Sequence, residues 1–243
     1  MEGRTLVIGD IHGALRALHQ VLERAQVTPE DQLIFLGDYV DGWSESPQTI
    51  NFLIGLTANY SCIFIRGNHD DLCCQWLKFG KDNPEWLFHG GQTTVDAYSE
   101  ISEADKKQHV SFLESLQDYY INEANKLFVH AGFTNQHGVE KEYFSKMFYW
   151  DRSLWETALS LDPKLSVNDT KYPKRLLHYN EIFIGHTPTI RIGETTPVNA
   201  ANIWNIDTGA AYKSPLTIMD VDTKQFWQSD NVNELYPDEN GRN

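Results

Sequence analysis

Residues 5–13 read Thr-Leu-Val-Ile-Gly-Asp-Ile-His-Gly, and this stretch decides the fold. Thr5 to Ile8 is an unbroken β-branched and apolar run, which predicts a short strand buried on both faces. It passes directly into Gly9-Asp10-Ile11-His12-Gly13, a polar cluster bracketed by glycines. Residues two apart on an extended segment share a side, so Asp10 and His12 are expected to point together. The same order recurs downstream. Leu33-Ile-Phe-Leu36 leads into Gly37-Asp-Tyr-Val-Asp-Gly42, and Cys62-Ile-Phe-Ile65 into Arg66-Gly-Asn-His-Asp70. Leu127-Phe-Val129 leads into His130-Ala-Gly132, and Ile182-Phe-Ile184 into Gly185-His-Thr-Pro188.

Helical patterns separate the first strands. Leu15, Leu18, Leu22 and Ala25 share one helical face, as do Ile50, Leu53, Ile54 and Thr57 after Pro47, a plausible first-turn proline. Strands alternating with helices predict crossover connections and an α/β fold. Residues 71–120 read as mainly helical. Residues 160–178, with Pro163, Asn168, Asp169 and Pro173, read as a loop. Ile203–Asp207 and Leu216–Asp222 read as two further strands. The acidic, Asn-rich tail from Asp230 is expected to fray or to drape on the surface. With 243 residues, 41% of them hydrophobic, the chain suits one sizeable domain over 1–243, not a disordered segment.

In open α/β sheets the carboxyl ends of strands border one crevice, so five polar clusters at five strand ends can converge there. Their side chains suit divalent metals. Carboxylate and amide oxygens favour Mn²⁺ or Mg²⁺, and imidazoles favour Zn²⁺, Fe and Mn. Asp38 could bridge two ions, and two ions about 3.5–4 Å apart can clamp the attacking and leaving oxygens of a phosphoryl displacement. Taken singly, Asp-x-His, Gly-Asp and Gly-His are ordinary turns or helix caps. It is their joint order at strand ends that points to a metal site. His19, His89, His109, His137 and His178 lack that context.

The formal charge is −14, and Lys and Arg form no run, which argues against a nucleic-acid partner. Bound cations would reverse the field locally and admit a small anionic substrate. Cys62, Cys73 and Cys74 are too few and too clustered for a disulfide framework, which predicts a reducing, cytoplasmic setting. There is no room for a signal peptide before the first strand, and no apolar stretch approaches the ~20 residues needed to span a bilayer, so no membrane partner is expected.

Together, Gly9-Asp-x-His-Gly13, Gly37-Asp-x-x-Asp41, Arg66-Gly-Asn-His-Asp70, His130-Ala-Gly132 and Gly185-His186 resemble the signature blocks of the calcineurin-like metallophosphoesterases. They look closest to the phosphoprotein phosphatase branch, which includes bacteriophage lambda-type serine/threonine phosphatases and symmetrical diadenosine tetraphosphatases. Weaker similarity extends to Trp86-x-x-x-Gly90-Gly91-x-x-Thr94 and Asp207-Thr-Gly209. The resemblance implies a four-layer α-β-β-α sandwich of two mixed sheets, with the site at one end. It implies two divalent ions, Mn²⁺ foremost with Fe, Zn or Mg as alternatives, one held by Asp10, His12 and Asp38, the other by Asp38, Asn68, His130 and His186. A hydroxide on the metals would attack phosphorus without a covalent enzyme intermediate. His69 would protonate the leaving oxygen, Asp41 would orient His69, and Arg66 and Arg152 would bind phosphate oxygens.

Two features sort the substrate. Pro188 stands where many phosphodiesterases and nucleases of the superfamily carry a second His, which favours the phosphatase branch. Gly42 and Trp43 stand where that branch usually has Arg-Gly, so one phosphate-binding arginine is missing, and Trp43 is free to stack near the site or simply to pack its loop. The leading expectation is a phosphomonoesterase acting on phosphoproteins or small esters. The runner-up is a symmetrical dinucleoside polyphosphate hydrolase. A phosphate sensor without catalysis would have lost the ligands or the His69–Asp41 pair, and both are intact.

Overall fold

The computed structural model describes residues 3–81 and 83–242. In chain order the strands are β1 (Thr5–Ile8), β2 (Gln32–Phe35), β3 (Ser61–Phe64), β4 (Tyr119–Ile121), β5 (Lys126–Val129), β6 (Glu181–Ile184), β7 (Val198–Ala200), β8 (Ile203–Asn205), β9 (Thr217–Asp220) and β10 (Phe226–Gln228). They form two five-stranded sheets, ordered β10-β9-β1-β2-β3 and β4-β5-β6-β8-β7. Each sheet has a parallel centre, β1-β2-β3 in one and β5-β6-β8 in the other. Antiparallel β9 and β10 lie beside β1 in the first sheet, where β3 is the other edge, and antiparallel β4 and β7 flank the second, so both sheets are mixed.

Side-chain alternation explains the layering. Leu6, Ile8, Leu33 and Phe35 face a helical layer. Val7 and Ile34, one residue out of phase, face the other sheet and meet Phe128, Phe183 and Met219. Phe128 and Phe183 stack with centroids 5.0 Å apart. Leu127, Val129, Ile182 and Ile184 point the opposite way, beneath Phe148 and Trp155. Every central strand thus loses both faces to packing, which is why these runs show no polar alternation. Burying each such side chain contributes about 1.5–3 kcal/mol. The result is the expected α-β-β-α sandwich.

Helix α1 (Leu15–Arg24) buries Ala17, Leu18 and Val21, and α2 (Ser46–Leu56) carries Pro47 in its first turn, as the sequence predicts. Helix α3 (Asn68–Phe79) differs from expectation, because Asn68 and His69 occupy its first turn and not an extended segment. The start is enforced by Asp70, whose carboxylate accepts the Gly67 amide at 2.9 Å. The 71–120 stretch is largely helical, through Glu103–Ser115, but ends in β4.

Two corrections concern the periphery. Strands β4, β7 and β10 escape the sequence pattern. All three are three-residue edge strands, half buried at most, so they lack a long apolar run. The described part of the segment after Asp230, expected to fray or to drape on the surface, packs against the body of the protein. It forms a helical turn, Val232–Leu235, and buries Val232 and Tyr236.

Candidate active site

Parallel strands that end at one level bring their polar clusters together. Asp10, His12, Asp38, Asn68, His130 and His186 meet at the carboxyl ends of β1, β2, β3, β5 and β6, all nearly inaccessible to solvent. The backbone is forced to make this meeting. His12 (φ 53°), Asp38 (φ 53°), Asp41 (φ 74°) and His186 (φ 66°) are left-handed, half of the non-glycine residues in that region among those described. Each costs about 1–3 kcal/mol and persists only where the surroundings hold it. The loops after β1 and β2 are tied by amides, with Ile11 and His12 both donating to the Asp38 carbonyl at 3.0 and 2.8 Å.

The glycines serve the ligands themselves. A Cβ on Gly67 would sit 2.1 Å from Asp38 Oδ1, and one on Gly185 would sit 2.0 Å from Asp10 Oδ1. No side chain fits at either place while these carboxylates keep their positions.

The donor set fits two cations. Asp10, His12 and Asp38 can each present one ligand atom within 4.8 Å of the others, and so can Asp38, His130 and His186, with Asp38 common to both groups. Asn68 Oδ1 lies 2.9 Å from His186 Nδ1 and 3.2 Å from His130 Nε2, inside the second group. Nδ1 of His12 bonds the carbonyls of Val40 and Asp41 at 3.1 Å, and Nδ1 of His130 bonds that of Leu36 at 2.8 Å. A backbone carbonyl accepts only a protonated nitrogen, so each Nε2 is left as the free donor. Burial holds His12 and His186 well below the usual imidazole range, in the neutral form that binds metal. The carboxylates in turn attract positive charge. Burial opposes protonation of His130, yet Asp38 and Asp10 outweigh it and raise its pKa to about 10. Asp10 Oδ1 is buried without a hydrogen-bond donor.

Beside this cluster, His69 Nδ1 lies 2.6 Å from Asp41 Oδ2, and its ring packs edge-on to His12 with centroids 5.1 Å apart. Asp41 is itself held. Trp86 Nε1 donates to Oδ2 at 2.5 Å and the Thr94 hydroxyl to Oδ1 at 2.6 Å. Both donors come from the helical turns between α3 and Glu103–Ser115. This explains the weak Trp86…Thr94 similarity, whose part in the site the sequence does not reveal.

Of the two arginines the sequence suggests for the cleft, the structure brings one there. Arg66 does not line the cleft. Its guanidinium donates to the carbonyls of Leu113 at 3.2 Å and Leu116 at 2.9 Å, and to Asp118 at 3.3 Å. It closes the end of the helix Glu103–Ser115, where free carbonyls need donors. Arg152 does line the cleft, with Nε 3.4 Å from His186 Nε2. Two further arginines, unforeseen, join it: Arg191 from the turn after β6 and Arg242 from the last described residues. Among the described residues none of the three is paired with a carboxylate. Burial, then the charges of Arg191 and Arg242, push the Arg152 guanidinium down. Asp207 also lines the cleft, near Asp10, as its short Asp-Thr-Gly motif hinted. Trp43 is fully buried against Tyr236, so it packs its loop and does not reach a ligand. The cleft encloses about 570 Å³, with Trp150 and Tyr212 on its rim.

A sandwich of two mixed sheets, ending in paired carboxylate–imidazole clusters and a carboxylate-held histidine, defines a metal-dependent phosphoester hydrolase. The chain belongs to the calcineurin-like phosphoesterase family, whose model matches residues 3–212. A bis(5'-nucleosyl)-tetraphosphatase PrpE [asymmetrical] of Oceanobacillus iheyensis is 27% identical over 240 residues, covering 90% of this chain and 89% of its own. A symmetrical bis(5'-nucleosyl)-tetraphosphatase of Erwinia tasmaniensis is 31% identical over 137 residues, covering 54% of this chain and 45% of its own. Among solved structures, a serine/threonine phosphatase of Saccharomyces cerevisiae similar to human PP5 superimposes with a TM-score of 0.62 at 13% identity, over 94% of this chain and 80% of that one. At that identity the likeness concerns the fold.

Proposed function

We propose that the protein hydrolyses dinucleoside polyphosphates. The observation that carries this reading is the set of three guanidiniums, Arg152, Arg191 and Arg242, unpaired among the described residues, around one metal-ligand cluster. A single phosphoryl group held by two cations has few oxygens left to accept further donors. A chain of phosphates has enough for all three, each charge-assisted bond contributing about 1.5–3 kcal/mol. Trp150, 42% exposed, and Tyr212 offer faces on which a base can stack. The tetraphosphatase names of the relatives support the same substrate class.

In this reading Asp10, His12 and Asp38 would hold one ion, and Asp38, Asn68, His130 and His186 the other. The mixed set, three oxygen donors and three imidazoles, suits Mn²⁺. When bound, the ions polarise the phosphoryl group and lower the pKa of water toward ~7. The chain's own residues complete the chemistry. Asp41, locked by Trp86 and Thr94, accepts the His69 Nδ1 proton and turns Nε2 to the cleft, where it gives its proton to the departing phosphate oxygen. Arg152 and Arg191 hold the non-reacting oxygens. The three cysteines, all free thiols, suit a reducing, cytoplasmic setting.

A phosphomonoesterase of the protein-phosphatase kind uses the same site and is favoured by Pro188, which lines the cleft where a second histidine would suit diester cleavage. Metal-reconstituted protein assayed in parallel on diadenosine tetraphosphate, a phosphopeptide and p-nitrophenyl phosphate separates the two. The proposal expects kcat/KM at least tenfold higher on the dinucleotide, whether it yields two diphosphates or a mono- and a triphosphate. A phosphopeptide turned over as well as the dinucleotide sinks it.

A further inference from the structure

Gly42 and Trp43, which replace the Arg-Gly usual in this branch, are explained together by the segment after Asp230. Trp43 is the anchor. Its ring stacks on Tyr236 with centroids 5.2 Å apart, and its Nε1 donates to the Ala210 carbonyl at 2.7 Å. Next to it Ser44 donates from its amide and its hydroxyl to Glu239, at 2.9 and 2.7 Å. Gly241, at φ 67°, turns the chain against the Trp43 ring, where a Cβ would come within 2.7 Å of the indole. The Arg242 amide then donates to the Ala211 carbonyl at 2.8 Å.

This path sends the Arg242 side chain inward over two glycines. A Cβ on Gly42 would lie 3.2 Å from Arg242 Cγ, and one on Gly90 would lie 2.9 Å from it. The aliphatic stem therefore runs through a slot that Gly42 and Gly90 leave open, and the Gly42 amide donates to the Gly90 carbonyl at 3.1 Å to form its floor. The guanidinium emerges in the cleft, 5.7 Å from the Tyr212 ring centroid, with Nη1 3.5 Å from His12 Nε2. Its Nε is buried with no acceptor among the described residues. Beside an imidazole nitrogen meant for a metal, the guanidinium has only the attraction of the Tyr212 ring and no carboxylate partner among the described residues. It needs an anion.

We propose that Arg242 binds the substrate's phosphate oxygens, standing in from the C-terminal segment for the arginine that Gly42 displaces, with Trp43 as the fixture that docks the segment. Replacing Gly42 by Arg would not restore the usual arrangement. Gly42 has φ 106°, and the new side chain would collide with the Arg242 stem.

The proposal rests on the phosphoesterase reading but not on the choice of dinucleotide, so inorganic phosphate is the probe. Arg242→Ala and Arg242→Gln, the second keeping most of the stem, are compared with wild type in metal-loaded protein. Calorimetric phosphate affinity and the KM for p-nitrophenyl phosphate should weaken about tenfold in both, with two metals still bound and melting temperature unchanged. Guanidinium ion at millimolar concentration should recover part of the loss in Arg242→Ala and none in wild type. Unchanged phosphate affinity in either folded variant overturns the proposal, and so does a loss that follows loss of metal. If wild type binds phosphate but ignores dinucleoside polyphosphates, the substrate reading fails and the role of Arg242 stands.

Discussion

His69 and Asp41 are joined at 2.6 Å, and Asp41 receives two further donors from Trp86 and Thr94. A carboxylate so fully bonded fixes one tautomer and one ring orientation of its histidine. At the same time the His69 amide donates to Asp38 at 2.9 Å, so the backbone of this residue steadies a candidate metal ligand while its side chain is free for other work. His69→Asn is therefore expected to lower kcat by roughly 10²–10⁴-fold with metal content near wild type. The loss should shrink for esters with acidic leaving groups, which need little protonation. Kinetics over a series of aryl phosphates checks this, and equal losses across the series would remove His69 from the role of acid.

At the scale of elements, the blocks that look alike in sequence separate by what they touch. The block Arg66-Gly-Asn-His-Asp70 is half site and half scaffold. Asn68 and His69 enter the cleft, while Asp70 accepts the amides of Asp38 and Tyr39, both at 2.8 Å, and Arg66 turns away to close the helix Glu103–Ser115. Arg66→Ala should thus cost about 1–2 kcal/mol of stability, as for lost capping bonds. It should change kcat/KM less than threefold, and phosphate affinity should stay the same. Denaturant melts and phosphate inhibition measured on one preparation test both halves. A tenfold rise in KM without loss of stability would return Arg66 to the substrate. The same scale explains what the pattern left out. Strands β4, β7 and β10 are edges, and half-exposed edges need no apolar run.

Over the whole molecule, the site joins the two sheets. Asp10, His12, Asp38 and Asn68 come from the sheet built on β1, β2 and β3, whereas His130 and His186 come from the sheet built on β5 and β6. Ions held between them would cross-link the sandwich and neutralise a buried acidic cluster in which burial first, and the charge of Asp38 after it, raise Asp207 to about 6. Anything that binds only the folded state stabilises it. Chelating the metals should therefore lower the melting temperature by roughly 5–10 °C, a few kcal/mol for a chain of this size. Mn²⁺ should restore it, and Asn68→Ala should retain one ion while recovering only part of the shift. A protein that loses two ions to the chelator yet melts at the same temperature would contradict this bridging.

Much of this was legible from residue order alone. Thr5 to Ile8 and its four counterparts gave the central strands, because burial on both faces requires continuous apolar residues. The clusters that follow them supplied Asp10, His12, Asp38, Asn68, His130 and His186 as candidates, because parallel strands end at one level. Apart from Arg152, tertiary structure alone decided the arginines. Arg66 sits in a motif and serves a helix end; Arg191 and Arg242 sit in no motif and face the cleft. A guanidinium on a long flexible stem goes where carbonyls or anions await it, and those come from elements far away in sequence. The same holds for a chain of charge −14, in which Arg152, Arg191 and Arg242, far apart in sequence, meet at one cleft only once it has folded.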